Sequence, residues 1–230
     1  MDTAKVYGNE TEVGQGIQRS NITREKIWIT TKVWMAEYGR VKESCEESLQ
    51  KLQTDYIDLL LLHRPTSLEE HEQALDSLMK LQEQGKIRQF GVSNFTLAQL
   101  QHAWEYTNGK LFTQQIEYHL ALRQEAMKQF ADSHHFVLTA YSPLGHGHLL
   151  KEARLLPLAE KHQASVAQIC IAWLLHQGAI VIPKASTEAR LAENFAAQQL
   201  KLDEKDLQMI ATLPNNHRYF NPPFAPQWDD

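Results

Sequence analysis

The chain has 230 residues, 43% of them hydrophobic, and 23 Lys and Arg against 28 Asp and Glu give a net charge of −5. That length and apolar content suit one large α/β domain, and the acidic balance, with no basic stripe interleaved with aromatics, excludes a nucleic-acid binder. No apolar run reaches the roughly 18 residues of a membrane span, no signal-peptide pattern opens the chain, and the two cysteines, Cys45 and Cys170, make no disulfide framework, so a reducing cytoplasm is the expected compartment.

The chain opens on MDTAKVYGNE, followed by a short helix expected over residues 10–19 and a first strand over 27–32, IWITTK. Residues 40–52 carry Val41, Cys45, Leu49 and Leu52 at helical spacing, so one face packs inward. The run YIDLLLLH, 56–63, is the second strand. Ser67 with Glu70 forms a capping box for a helix that Gly85 stops, and IRQFGVS, 87–93, is the third strand. Thr96 with Gln99 caps a helix to about 107; strands follow over 112–117 and 136–141, with a helix over 125–134 between them. After the excursion SPLGHGHLLKEARLL come two helical pieces, the second opened by Ser165 with Gln168 and closed by Gly178, with Ile171, Trp173 and Leu174 as core. Ile180–Pro183 reads as the sixth strand, Ser186 as the start of a helix, 203–213 as another, and NNHRYFNPPFAPQWDD as a proline- and aromatic-rich tail.

Strands starting near 27, 56, 87, 112, 136 and 180, with a helix between each pair, have the rhythm of consecutive βαβ units, so the sheet is expected to be parallel. Lys32, His63, Ser93, Gln115, Tyr141 and Lys184 all fall at strand C-terminal ends, the face on which a β/α barrel carries its chemistry. An open doubly wound sheet is the alternative, but no G-x-G-x-x-G follows any strand to serve a Rossmann site.

Lys32 and His63 leave runs too apolar for ordinary polar residues, and burying an unpaired ammonium costs several kcal/mol. Asp2 is the carboxylate placed to pair with Lys32, and Tyr7 a phenol that a nearby cation would acidify. Asp2, Tyr7, Lys32 and His63 therefore form one candidate site. Each has a duller reading alone: a rim lysine, a satisfied core histidine, a surface tyrosine. Lys184 and Arg190, flanking the helix start at Ser186 and Thr187, suit a phosphate monoester, although Arg190 has the spacing to pair with Glu193 instead. GHGH at 145–148 and the pair His134, His135 lack a third ligand at recognisable spacing, so no metal site is expected.

The segments DTAKVYGNE, ITTKVW, LLLLHRP, GVSNF, QIEYH, AYSPLG and IPKASTEARLAENF together resemble, in order and across nearly the whole chain, the signature segments of the aldo-keto reductases, most like the bacterial 2,5-diketo-D-gluconate reductase and methylglyoxal reductase branch. The resemblance implies a (β/α)8 TIM-type barrel in a single domain, binding NADPH, with Asp2, Tyr7, Lys32 and His63 as the catalytic tetrad. It implies Ser93, Asn94 and Gln115 at the nicotinamide carboxamide, Tyr141 stacked on the nicotinamide, Ser142 and Leu144 near the pyrophosphate, and Lys184, Ser186, Thr187, Arg190, Glu193 and Asn194 around the adenosine end. Trp34 is expected to wall the substrate pocket. Arg64 replaces the tryptophan many members carry there, which points to an anionic or strongly polar carbonyl substrate. The implied function is NADPH-dependent reduction of small aldehydes, dicarbonyls, keto sugars or keto acids by a monomer, with Tyr7 as proton donor. The alternative is an inactive fragment or a non-catalytic NADPH-binding module of the same fold. Because the family places one more β/α unit and a further strand ahead of its catalytic Asp, the resemblance also implies an N-terminally incomplete barrel of about six units, with Asp2 and Tyr7 on a loosely held end.

Overall fold

The computed structural model describes residues 1–228. Its strands are β1 (Thr30–Val33), β2 (Ile57–Leu62), β3 (Ile87–Ser93), β4 (Thr113–Glu117), β5 (Val137–Tyr141) and β6 (Ile180–Val181), and their order in the sheet is their order in the chain. The α-helices are α1 (Glu10–Arg19), α2 (Val41–Leu52), α3 (Leu68–Glu83), α4 (Leu97–Tyr106), α5 (Glu125–Ser133), α6 (Leu156–Lys161), α7 (Val166–His176), α8 (Glu188–Ala196) and α9 (Glu204–Ala211). The residues divide into two compact units, Met1–Gln114 with 226–228, and Gln115–Ala225.

In the first unit β2 pairs in parallel with β1, Lys32 opposite Leu61, and with β3, Leu61 opposite Gly91. All six residues of β2 are buried, which is why IDLLLL is a continuous apolar run and not an alternating one. Its single charge, Asp58, accepts from Arg24 at 2.7 Å, from Arg88 at 3.1 Å and from the Ile29 amide at 2.9 Å. That last bond corrects the first strand: Ile29 gives its N–H to a side chain, so regular strand begins at Thr30 and not at Ile27. The capping boxes at Ser67 with Glu70 and Thr96 with Gln99 form as expected. Gly91 is required where β3 meets the next strand, since a Cβ there would lie 2.3 Å from the Thr113 carbonyl oxygen.

Asp2 and Tyr7 are not loosely held. Asp2 makes a parallel bridge with Thr30; the Thr30 amide donates to Met1 O at 2.8 Å, and the Thr3 amide to Thr30 O at 2.9 Å. The following turn, Lys5–Tyr7, is tied to the α2 side by the Lys5 ammonium, 2.6 Å from Glu47 and 3.0 Å from Glu37.

In the second unit β5 pairs in parallel with β6, Thr139 opposite Ile180. Ile171, Trp173 and Leu174 of α7 are buried, as expected of a helix apolar on every side. Among the boundaries that differ from the sequence reading, two have a plain local cause. The sixth strand is Ile180–Val181 and stops short of Pro183, which has no N–H for a ladder. The helix expected from Ser186 begins at Glu188, because Thr187 is the residue whose hydroxyl caps it, accepting from the Arg190 amide.

Candidate active site

Within the first unit the strand ends assemble the four residues singled out from the sequence. Lys32, in β1, is 1% exposed, and its ammonium donates to Asp2 Oδ1 at 2.6 Å and to Thr3 O at 2.8 Å. Burial lowers its pKa while Asp2 acts in the opposite sense, so the pair stands or falls together. The Tyr7 ring lies above it, with Lys32 Nζ 5.3 Å from the ring centroid. His63, just past β2, meets Tyr7 edge to face at 5.7 Å and Trp34 likewise at 5.2 Å.

The electrostatics correct one expectation. The sequence predicts that Lys32 acidifies the Tyr7 phenol, but the phenol's pKa is pushed up to about 12, first by burial and then by Asp2, while Arg64 pulls it down. The reason is geometric: the Lys32 ammonium donates to Asp2 and Thr3, and Asp2 offsets its charge. Tyr7 is still 55% exposed, so water attenuates that rise. His63 is driven the other way, to about 3, by burial first and then by the Lys32 and Arg64 cations. The imidazole is therefore neutral at physiological pH, and its Nδ1 has no hydrogen-bond partner among the described residues.

The loop carrying His63 and Arg64 is braced by Tyr38 and His71, which the sequence does not single out, and by Asn94, which it does. The Tyr38 hydroxyl donates to Arg64 O at 2.6 Å and lies 3.2 Å from the Arg64 amide, and His71 Nε2 accepts from the Thr66 amide. His71 shares the buried face of α3 with Ala74, Leu75 and Leu78, a periodicity that marks it as an inward histidine. Asn94, in left-handed backbone at φ 61°, donates through Nδ2 to His63 O at 3.0 Å and to Ser93 Oγ at 2.9 Å. Ser93 and Asn94 are both buried at the end of β3.

The second unit holds the remaining expected positions. Gln115 is buried in β4; Tyr141 ends β5; Ser142, at φ 49°, sets its hydroxyl 3.1 Å from His146 Nε2; and Leu144 precedes the turn Gly145–Gly147. Lys184, Ser186, Thr187 and Arg190 are exposed around the N-terminus of α8, with Glu193 and Asn194 half-buried further along that helix. A helix N-terminus flanked by two exposed cations is a donor set that fits a phosphate. Among the described residues no group of three His, Cys, Asp or Glu side chains is placed to hold a metal, and no helix is long and apolar enough to cross a membrane.

Comparison with known proteins gives this arrangement its relatives. The model of the Aldo/keto reductase family matches residues 1–214. The whole chain aligns at 39% identity with 88% of the methylglyoxal reductase DkgB of Yersinia pestis. It superposes entirely, at a TM-score of 0.94 and 36% identity, on 83% of a crystal structure described as a 2,5-diketo-D-gluconic acid reductase B. A Bombyx mori aldo-keto reductase solved in complex with NADP matches at a TM-score of 0.88 and 30% identity over 96% of this chain and 80% of that one. The barrel-type α/β fold expected from the strand rhythm is thus borne out, and with a family model over nearly all of its length and identities of this order, the chain belongs to the aldo/keto reductase family.

Proposed function

We propose that this chain is an NADPH-dependent oxidoreductase that reduces the carbonyl of small aldehydes, dicarbonyls, keto sugars or keto acids to an alcohol, with Tyr7 delivering the proton. The observation that carries the reading is the buried Lys32–Asp2 pair under Tyr7, with a neutral His63 set edge-on beside the same ring. A buried, paired ammonium costs free energy that a purely structural position would avoid by being apolar, so its retention beside an exposed phenol and a neutral imidazole suits a site that must accommodate transient negative charge.

Bound NADPH supplies the hydride that goes to the carbonyl carbon. The protein supplies the rest. With its pKa well above neutral, Tyr7 carries its proton throughout the physiological range, so a donor is present in every molecule. As the carbonyl oxygen gains negative charge it takes the Tyr7 proton, and the phenolate left behind is stabilised by the Arg64 cation, which pulls the Tyr7 pKa down, before water returns a proton. His63, uncharged, is suited to donate a hydrogen bond to the carbonyl oxygen and fix its orientation without drawing the proton away from Tyr7. Trp34, packed on His63, would wall the substrate side, and the Arg64 cation favours carboxylate-bearing or strongly polar substrates. Ser93, Asn94 and Gln115 would receive the carboxamide and Tyr141 the nicotinamide face. Ser142 and Leu144 would lie at the pyrophosphate, and Lys184, Ser186, Thr187, Arg190, Glu193 and Asn194 at the adenosine end. The enzyme is proposed to act in the cytoplasm as a monomer. Methylglyoxal, which the Yersinia pestis relative is named for reducing, is the first substrate to try. The test is the loss of NADPH absorbance with methylglyoxal and a panel of keto acids: steady oxidation above the substrate-free rate is expected, and a rate equal to that background with every carbonyl would overturn the proposal.

A further inference from the structure

Glu117 closes β4 two residues past Gln115 and is 0% exposed, and no step of the proposed reaction uses it. A wholly buried carboxylate persists only if donors saturate it. Its donors are specific: Oε1 accepts from the Tyr219 amide at 2.8 Å and from His119 Nε2 at 3.1 Å, and Oε2 from the Phe220 amide at 3.0 Å. One carboxylate thereby takes two consecutive backbone amides of a segment about a hundred residues further along the chain. The preceding residues are gripped by the turn after β4: the His217 amide donates to Ala121 O at 2.8 Å, and the Arg123 amide to Asn215 Oδ1 at 2.8 Å.

The segment so fixed reaches two residues expected to hold the cofactor. Phe220 stands edge-on to Tyr141, centroids 6.4 Å apart at 87°, and lies flat against His146 at 5.8 Å and 18°. His146 in turn meets the Ser142 hydroxyl at 3.1 Å. The same segment thus borders the ring expected to stack on the nicotinamide and the hydroxyl expected near the pyrophosphate. We propose that Glu117 is a positioning residue for the nicotinamide end of the cofactor site, acting through the Tyr219 and Phe220 amides to seat Phe220 against Tyr141 and His146. The assignment rests on the reading of Tyr141 as the nicotinamide-stacking residue.

A role in general stability and a role in positioning separate when ligands reaching different distances along the site are compared. NADPH spans the whole site, whereas adenosine 2′,5′-bisphosphate carries only the adenosine end. Both are to be titrated against the wild-type chain, Glu117→Gln and Phe220→Ala, with amide hydrogen exchange at Tyr219 and Phe220 followed in the absence of nucleotide. Glu117→Gln keeps the volume but turns one acceptor into a donor facing an N–H. It should weaken NADPH roughly tenfold, the scale of one charge-assisted hydrogen bond, leave the bisphosphate within about twofold, and speed exchange at both amides. Phe220 is 36% exposed, so Phe220→Ala is expected to fold even if the glutamine variant does not, and it should show the same selective loss. Unchanged NADPH binding in Phe220→Ala, or equal weakening of both ligands in either variant, overturns the positioning role while leaving the proposed function intact. A wild-type chain that binds no NADPH overturns the proposed function, and this assignment with it.

Discussion

Replacing Asp2 by Asn removes the countercharge of an ammonium that is 1% exposed, leaving Lys32 with the Thr3 carbonyl at 2.8 Å and a neutral amide. Deleting one partner of a buried ion pair costs about 3–5 kcal/mol. The Asp2 side chain is 19% exposed and Thr3 O remains, so the expected loss is about 2–3 kcal/mol. Lys32→Met takes the ammonium from the carboxylate, the more exposed partner, and should cost about 1 kcal/mol. The double variant Asp2→Asn/Lys32→Met buries no charge and should lie within about 1 kcal/mol of wild type, more stable than Asp2→Asn alone. Urea unfolding followed by tryptophan fluorescence measures all four chains, and the cycle should return a coupling of about 2–4 kcal/mol. Additive single losses, or an Asp2→Asn chain as stable as wild type, would refute the reasoning that the pair is a buried, mutually dependent unit.

The histidines give stability a pH dependence of defined sign. His63 and His71 titrate near 3 and 4 in the folded chain, burial being the first cause in both, against about 6.5 unfolded, so only the unfolded chain takes up protons as pH falls below about 6.5. Stability should then drop by about 1 kcal/mol per pH unit per histidine between pH 6.5 and 5, and His71→Asn should flatten that slope by about half; identical slopes in the two chains would contradict the assignment. Lys184→Ala and Arg190→Ala should each weaken NADPH by roughly tenfold or more and NADH little, since only NADPH brings a 2′-phosphate to the α8 N-terminus; parallel losses for both nucleotides would show that these cations do not read it. Arg64→Leu should lower kcat/KM for keto acids relative to methylglyoxal, and an unchanged ratio would place the guanidinium outside substrate recognition.

Much of the fold was legible because parallel strands buried on both faces are continuous apolar runs, and IRQFGVS and the helix at Glu10–Arg19 have the predicted bounds. The misplaced boundaries turn on single backbone groups: distant Asp58 captures the Ile29 amide, which no local pattern shows, whereas Pro183 has no amide to give and Thr187 caps α8 locally. The tetrad was found through its chemical incongruity, a lysine and a histidine at the ends of apolar runs. What the sequence could not show is how charges balance once assembled. The sequence predicts the pairing of Lys32 with Asp2, but that the same pairing leaves the Tyr7 phenol unacidified depends on where the ammonium hydrogens point. Tyr38 and His71 are not legible in the sequence because their partners are backbone groups of loops, and of the Glu117 partners only His119 is a side chain; a backbone partner leaves no residue-type signature.

The central claim, that Tyr7 donates the proton in a carbonyl reduction, is tested most directly by Tyr7→Phe, which deletes the hydroxyl and keeps the ring that packs on His63 and over Lys32. Steady-state reduction of methylglyoxal and fluorescence titration with NADPH are measured on the same preparation. The account predicts a fall in kcat of about a hundredfold or more, the range of a lost general acid, with the NADPH dissociation constant within about twofold of wild type. A Tyr7→Phe chain that binds NADPH normally and turns over at the wild-type rate would contradict it.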